Sequence, residues 1–367
     1  MATPTGTEAV LHALAVQPAA SFHEERVASV VERFLSDLGL PYSVDPYGNV
    51  IARYARGAGA QAIATVAHMD HPAFEVVEGG RSPLALLLGG VSESCFRAGT
   101  PVRVFSGFQT TPGTLNRVRP ASERGRLLLE LQVEGETRPG DWGVWEIDDF
   151  RVDGDLLHLR AADDLAGCAV ALSALATLQQ DEVEADVYAV FTRAEEVGLI
   201  GATLVAQQRL MPEGTMVVSL ESSKVLPGVE QGAGPVIRVG DARRTFDAGA
   251  EALLRRAADD LRGQAPEFGV QRHLMSGGTC EATAFGLYGY ATTGIALPLG
   301  NYHNQAEGHL AAEYIHRRDL AGAAGLLLAA IKGARDADPL AGKQRLESLA
   351  EEYRERLRST AKRPQAP

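Results

Sequence analysis

Cysteine is scarce in this sequence, with only Cys95, Cys168 and Cys280 among 367 residues. No two of them form a Cys-x-x-Cys pair, and three cysteines cannot build the disulfide framework that stabilises many secreted domains. This scarcity is typical of proteins from a reducing compartment, so we expect a cytoplasmic protein.

Long apolar runs are also missing. The most apolar stretches, residues 84–91 and 322–331, are much shorter than the roughly 20 residues that a membrane span needs. Residues 1–16 lack the basic region and the long apolar run of a signal peptide. We therefore expect a soluble protein that does not interact with a membrane.

Basic residues are fewer than acidic ones: the sequence has 35 Lys and Arg residues and 47 Asp and Glu residues, which gives a formal net charge of −12. No basic stretch interleaved with aromatic residues offsets this excess, which argues against a nucleic-acid partner. The content of 45% hydrophobic and 22% charged residues is ordinary for a globular protein. A chain of this length is longer than one core usually holds, so we expect two folded units.

Two kinds of residue pattern alternate along the chain. Residues 1–71 and 160–340 combine strand-like runs with helical periodicity, whereas residues 72–159 contain only short strand-like runs between Gly, Pro and Ser turns. This pattern predicts an α/β domain, a mixed sheet flanked by helices, interrupted by a small all-β barrel or sandwich. Residues 341–367, rich in charges of both signs, are predicted to form a solvated helix and tail.

Polar residues of the kinds that bind metal ions follow several predicted strands. They are His68 and Asp70, Glu195 and Glu196, Glu221, and His303, and Asp163 opens a predicted helix. Ligands gather beyond the carboxyl ends of strands in open α/β sheets, so these side chains are predicted to share one crevice. A set of imidazoles and carboxylates suits Zn²⁺ or Co²⁺ better than Mg²⁺, which prefers oxygen ligands.

Each of these residues also has an ordinary structural interpretation. A lone histidine is more often structural than a ligand, Glu195 and Glu196 could form a solvated face, and Asp163 could cap a helix. The joint order of the residues, each next to an apolar strand, favours the metal site. Asp70 supports it, because a carboxylate two residues after His68 can hold the second ring nitrogen of that histidine.

Five segments carry a resemblance to a known family. They are Ala67-His68-Met69-Asp70, residues 162–168 (ADDLAGC), residues 191–199 (FTRAEEVGL), Gly232-Ala233-Gly234-Pro235 and Gly277-Gly278-Thr279. In this order they resemble the dinuclear metallo-aminopeptidases that include glutamyl aminopeptidase and the tetrahedral, self-compartmentalising aminopeptidases. The resemblance covers nearly the whole chain up to residue 340.

The resemblance implies a zinc-exopeptidase-like fold that binds two divalent metal ions, zinc first and cobalt as an alternative. It implies that His68 and Glu221 bind one metal, that Glu196 and His303 bind the other, and that Asp163 bridges them. Glu195 would be the general base. The implied activity is the release of N-terminal residues from short peptides.

The position of the β-rich segment separates this family from its relatives. The segment lies between His68 and Asp163, where the aminopeptidase family keeps its dimerisation domain. We therefore expect self-association, as a dimer or a larger homo-oligomer.

The sequence departs from the family pattern at several positions around the predicted site. These are Leu165, the run His71-Pro72-Ala73, Glu221 with Ser222-Ser223-Lys224 after it, Cys280-Glu281, and the run Tyr302-His303-Asn304-Gln305. The changes leave two alternatives open. One is a deacylase or carboxypeptidase-like amidohydrolase acting on a modified substrate, and the other is a non-catalytic relative that binds metal or peptide. His71 could also compete with His68 as a ligand.

Overall fold

The structure, a computed structural model, describes residues 6–57, 61–107, 109–121, 126–334 and 341–361. The chain divides into two units, residues 1–335 and residues 336–367. The first unit contains the sheet, the barrel and the predicted site. The described part of the second unit is a single charged helix, in which Glu351 pairs with Arg354 and Glu355 pairs with Arg358.

The helices are α1 (Thr7–Ala15), α2 (Glu25–Asp37), α3 (Ala162–Gln180), α4 (Ile200–Gln208), α5 (Ala248–Gln264), α6 (Glu281–Leu287), α7 (Arg317–Gly333) and α8 (Ala341–Thr360). The strands up to the end of the barrel are β1 (Tyr42–Val44), β2 (Val50–Arg56), β3 (Ile63–His68), β4 (Ala73–Glu78), β5 (Leu84–Leu88), β6 (Pro101–Ser106), β7 (Gln109–Pro120), β8 (Leu127–Val133) and β9 (Trp142–Trp145). The later strands are β10 (Phe150–Asp153), β11 (Leu156–Leu159), β12 (Ala185–Thr192), β13 (Met216–Lys224), β14 (Val236–Arg238), β15 (Gln271–His273), β16 (Ala291–Leu299), β17 (Gln305–Ala306), β18 (His309–Leu310) and β19 (Glu313–His316).

An eight-stranded mixed sheet forms the centre of the first unit, in the order β1-β2-β12-β3-β13-β16-β14-β15. Its inner strands are almost wholly buried, as expected for parallel strands covered on both faces. Residues of α1, α2, α3, α5 and α7 share one apolar core with the sheet. Residues of α4 and α6 pack in a second core, which also includes sheet residues. The predicted α/β class with a mixed sheet is confirmed.

The β-rich segment folds into a closed barrel in the strand order β4-β5-β8-β7-β6-β9. Pairing of Phe74 with Gly143 joins the first and last strands of this order, so the barrel leaves no open edge there. Trp142 and Trp145, predicted as packing residues, are buried in apolar clusters. The chain therefore leaves the sheet after β3, builds the barrel and returns before α3.

Several local expectations differ from the structure. The sequence pattern did not indicate α1. Strand β13 continues through Glu221 to Lys224 rather than ending before it. The predicted domain boundaries stay predictions, and residues 362–367 of the predicted tail lie outside the described residues. In the described part of the chain, no helix combines the length and the apolar character needed to cross a bilayer.

Candidate metal centre

Four adjacent parallel strands, β12, β3, β13 and β16, carry most of the predicted site residues at or just beyond their carboxyl ends. Thr192 of β12 pairs with His68 of β3, which brings the following Glu195–Glu196 turn close to that histidine. Ser219 of β13 pairs with Val66 of β3, so Glu221 lies level with His68. The crevice expected from the sequence therefore forms at this edge of the sheet.

His68 and His303 both direct their Nε2 atoms into this crevice, because the other ring nitrogen, Nδ1, contacts a backbone carbonyl. The Nδ1 atom of His303 lies 2.7 Å from the carbonyl oxygen of Gly90, and that of His68 lies 3.1 Å from the carbonyl oxygen of Asp70. Because these carbonyls can only accept, each Nδ1 carries the proton, and the Nε2 atoms are directed towards carboxylates. Metal-ligating histidines are oriented in this way by hydrogen bonds from the second ring nitrogen.

Asp163 lies between the two histidines. Its Oδ1 atom is 3.3 Å from Nε2 of His68, and its Oδ2 atom is 3.7 Å from Nε2 of His303. Glu196 Oε2 lies 3.1 Å from Nε2 of His303, and Glu221 Oε1 lies 3.8 Å from Nε2 of His68. The structure thus brings together all five residues that the sequence suggested as metal ligands.

Two further carboxylates hold this group through backbone N–H groups. Asp70 accepts hydrogen bonds from the amides of Glu195 and Glu196, at 2.9 and 3.1 Å, and from the Ser21 hydroxyl at 2.6 Å. Its side chain lies 3.6 Å from Nδ1 of His68, so Nδ1 donates its hydrogen bond to the backbone carbonyl of Asp70 instead. Asp70 therefore fixes the turn that carries the two glutamates.

Glu313 is the second carboxylate that accepts hydrogen bonds from backbone N–H groups of the site. Its Oε1 atom accepts from the amide of His303 at 2.7 Å, and its Oε2 atom accepts from the amide of Asp163 at 3.0 Å. One buried side chain thus fixes the backbone of two candidate ligands. Burial raises the pKa of Glu313 to about 8, although both backbone N–H groups lower it.

The crowding of carboxylates shifts the pKa values in the crevice. Burial and the charge of Glu221 raise the pKa of Asp163 well above its usual range. Burial also raises the pKa of Glu195 well above its usual range, with His68 opposing the shift and Glu221 adding to it. Burial disfavours a charged His68, but the nearby carboxylates of Asp163, Asp70 and Glu221 outweigh it and raise the pKa of the ring.

A divalent cation fits this arrangement. The ligand atoms of His68, Asp163 and Glu196 all lie within 4.8 Å of one another. Among the described residues, Oε1 of Glu196 and Oε2 of Glu221 are buried without a hydrogen-bond partner. Unsatisfied buried acceptors are costly unless a cation or an ordered water binds them. Together with the imidazole nitrogens, they form a nitrogen and oxygen donor set of the kind that binds Zn²⁺ or Co²⁺.

The group opens into a cleft of about 960 Å³, lined by Glu195, Glu196, His303, Tyr302 and Gly90 among others. A substrate that enters this cleft reaches the side of the crevice that Glu195, Glu196 and His303 line. Gly90 belongs to the turn after β5, so the inserted barrel segment contributes to the wall of the cleft.

Sequence reasoning missed several residues of this region. Glu313 and Gly90 lie in no recognisable motif, and only the fold brings them to the site. The guanidinium of Arg238 is buried and lies 3.5 Å from Oε2 of Glu221, where its charge lowers the pKa of that carboxylate against the effect of burial.

His71, suggested as a competing ligand, has both ring nitrogens in contact with protein oxygens. Its Nδ1 lies 2.8 Å from the carbonyl oxygen of Asp163, and its Nε2 lies 2.9 Å from Oδ1 of Asn304. The ring therefore lies beside the candidate ligands, engaged in other contacts.

Comparisons with known proteins agree with this geometry. The sequence matches the M42 glutamyl aminopeptidase family over residues 131–326. A protein of Acetivibrio thermocellus assigned as an aminopeptidase is 28% identical over 305 residues, which are 78% of this chain and 88% of that protein.

Solved structures show the same fold. The TET1 peptidase of Pyrococcus horikoshii superposes with a TM-score of 0.74 at 23% identity, covering 89% of this chain and 99% of that one. The aminopeptidase APDkam598 of Desulfurococcus kamchatkensis superposes with a TM-score of 0.74 at 22% identity, covering 90% of this chain and 97% of that one. With more than half of its residues matched to the family, the chain belongs to the M42 glutamyl aminopeptidases, a family of metal-dependent aminopeptidases.

Proposed function

We propose that this protein binds two divalent metal ions, zinc first and cobalt as the alternative, and releases N-terminal residues from short peptides. One observation carries the proposal: the two oxygens of Asp163 face the Nε2 atoms of two different histidines. A carboxylate in this position can bridge two cations, each with a histidine of its own.

The surrounding residues complete two sets of ligands. His68 and Glu221 would hold one ion, Glu196 and His303 would hold the other, and Asp163 would belong to both. The contacts of Glu221 with His68 and of Glu196 with His303 support this division. Arg238 adds a positive charge behind Glu221 and so favours its ionised form.

When bound, two such ions lower the pKa of a water molecule towards neutrality and polarise the scissile carbonyl. Glu195 lines the cleft, and its side chain has no hydrogen-bond partner among the described residues. Its carboxylate would accept a proton from the attacking water and pass it to the leaving amine. Asp70 keeps Glu195 in place through the backbone amide.

The family match and the aminopeptidase relative favour peptide bonds as the target over the two alternatives raised by the sequence departures. We further propose that the chain works as a homo-oligomer. Support comes from the TET1 peptidase of Pyrococcus horikoshii, which can assemble into a tetrahedron or a large octahedral shell. The three cysteines are free and buried, which supports a cytoplasmic location.

The test is elemental analysis and activity in one preparation, with wild type beside Glu195→Gln and an exposed control, Glu307→Gln. Each protein is reconstituted with Zn²⁺ or Co²⁺ and assayed on aminoacyl-anilides and on N-acyl amino acids. We expect close to two metal ions per chain in all three proteins. We expect Glu195→Gln to lose a factor of about 10²–10⁴ in kcat, the usual contribution of a positioned general base.

Retention of full activity by Glu195→Gln would contradict its role as the base. Hydrolysis of the N-acyl amino acids alone would favour the deacylase over the aminopeptidase. A protein that binds no metal after reconstitution would overturn the proposed centre.

A further inference from the structure

Tyr302 borders the proposed metal centre, yet it has no part in the mechanism above. Its ring stacks on the ring of His303, with centroids 3.7 Å apart and an angle of 25° between the planes. Among the described residues, the phenol hydroxyl has no hydrogen-bond partner. The hydroxyl is therefore free to donate a hydrogen bond to a group from outside the chain.

Tyr302 forms part of the wall of two cavities next to the proposed metal centre. Tyr302 lines the large cleft together with Glu195 and Glu196. It also lines a small cavity of about 20 Å³ beside Glu221 and Arg238. The ring therefore lies between the base on one side and a proposed ligand on the other.

The neighbouring loop leaves room for the hydroxyl. A Cβ atom placed on Gly278 would lie 3.5 Å from the phenol oxygen. The amide of Ala242 donates to the carbonyl of Gly278 at 2.9 Å, which fixes this loop. The hydroxyl therefore lies beside a loop that a backbone hydrogen bond fixes, and the stacked ring holds it in place.

A neutral donor next to the carboxylates would complement the proposed ions. Glu195 and Glu196 accept hydrogen bonds and repel a developing negative charge, and the other donors that line the cleft are Arg243, Arg244, Thr279 and Thr283. The unpartnered N–H groups of Arg238 are buried behind Glu221 and do not line the cleft. A phenol is a donor that carries no charge, and it can serve an oxygen that becomes negative during the reaction.

We propose that the phenol hydroxyl of Tyr302 donates a hydrogen bond to the carbonyl oxygen of the scissile bond. The inference rests on the proposed aminopeptidase function. As the water oxygen bonds to the carbonyl carbon, Glu195 takes a water proton and the carbonyl oxygen becomes negative. The C–N bond then breaks, the leaving amine receives the proton from Glu195, and the carbonyl re-forms. Tyr302 keeps its own proton throughout, and its hydrogen bond is strongest at the intermediate stage.

The alternative is that Tyr302 only packs against His303 and keeps that ring in place. Tyr302→Phe separates the two roles, because phenylalanine retains the stacked ring and removes the hydroxyl alone. Tyr288→Phe is a matched control, since Tyr288 is a partly buried tyrosine in the second apolar core, away from the cleft lining.

The first measurement compares kcat and KM on an aminoacyl-anilide, with metal content determined in the same samples. We expect Tyr302→Phe to lower kcat by a factor on the order of 10², as loss of one oxyanion donor does, with KM and metal content close to wild type. Tyr288→Phe should behave as wild type.

The second measurement does not depend on turnover. Calorimetry of a phosphinic dipeptide analogue, whose charged oxygen imitates the intermediate, should show binding weakened roughly 10- to 100-fold in Tyr302→Phe. Binding of the free amino-acid product should change little.

A Tyr302→Phe enzyme with kcat within about twofold of wild type would overturn the inference. Equal weakening of the analogue and the product would also overturn it, because a displaced His303 would affect both ligands. If wild type itself hydrolysed no peptide substrate, the proposed function would fail, whereas an active wild type with an equally active variant contradicts Tyr302 alone.

Discussion

Glu313 lies on β19 and touches two proposed ligands through their backbone amides. The strand reaches them because β19 pairs with β11, in a register that places Glu313 opposite Leu159, four residues before Asp163. A side chain in this position decides how far apart Asp163 and His303 lie. It would therefore set the spacing of the two proposed ions without binding either one.

We predict that Glu313→Gln weakens metal binding by a factor of about 10–100, the usual effect of losing a group that orients ligands. The amide can accept one of the two N–H bonds, but its NH₂ group opposes the other. The measurement is the chelator concentration that removes half of the bound metal. Glu307→Gln, an exposed change near the same turn, is the control. If the chelator midpoint of Glu313→Gln were unchanged, the backbones of Asp163 and His303 would keep their positions without the Glu313 carboxylate.

At the residue scale, the sequence was informative where a ligand follows an apolar strand. His68, Glu195, Glu196, Glu221 and His303 all have this local signal, and the sheet brings their side chains together. Glu313 has none, because it lies in a mixed run of Ala, Tyr, Ile and His, and its role depends on pairing with a strand about 150 residues earlier. A contact of that kind is a property of the fold and leaves no periodicity in the sequence.

Helix α6 begins with a buried carboxylate between two strands. Glu281 accepts hydrogen bonds from the hydroxyls of Thr192 on β12, at 2.7 Å, and Ser219 on β13, at 3.3 Å. Burial raises its pKa from 4.5 to about 7. The start of this helix therefore depends on the protonation of a group that packs against the central strands.

We predict that Glu281→Gln reduces the loss of stability at rising pH. Between pH 4.5 and 7 the folded protein keeps a proton that the unfolded chain has released, so the free energy of unfolding falls as the pH increases. This shift of about 2.5 pKa units is worth about 3 kcal/mol. Glutamine is neutral at every pH, so the difference in unfolding free energy between variant and wild type should grow by that amount from pH 4.5 to pH 8.

Urea unfolding of both proteins at pH 4.5, 6 and 8 gives this difference directly, with Glu213→Gln as an exposed control. Parallel curves for wild type and Glu281→Gln would mean that the carboxyl titrates in the folded protein as it does in the unfolded chain.

Most strands and helices near the site could be predicted from their apolar periodicity, but two elements could not. Strand β7 consists largely of Thr, Arg, Gln and Asn, and its buried position is Leu115, so no alternation of apolar residues marks it. Helix α1 has nine residues and no side-chain cap at its start, which leaves little local signal for a helix. Tertiary packing against α3 and α7 stabilises it instead.

The whole molecule combines a sheet that supplies the proposed ligands with a barrel that interrupts it. The existence of the insertion could be predicted, because after Asp70 the helical periodicity stops and only short strand-like runs between turns remain. The order of the strands could not, since β12 inserts between β2 and β3 and the direction changes again at β14. Such crossovers depend on how distant segments pack, which the local pattern of residues does not encode.

We predict that the protein in solution is a homo-oligomer with at least twice the mass of the 367-residue chain. The TET1 peptidase of Pyrococcus horikoshii can assemble into a tetrahedron or a large octahedral shell, and the barrel lies between His68 and Asp163, where the family resemblance implies a dimerisation domain. Light scattering coupled to size-exclusion chromatography measures the mass, and a dilution series followed by assay tests whether activity depends on assembly. A fully active species with the mass of one chain would contradict the prediction.

The positions of the proposed ligands along the chain have a consequence for the protein during its translation. His68 is made early, but His303 and the supporting Glu313 come near the end of the first unit. A chain still being translated, or one cut short before these residues, holds only part of the site and cannot cleave peptides. We therefore expect peptide hydrolysis only from chains whose translation has passed Glu313.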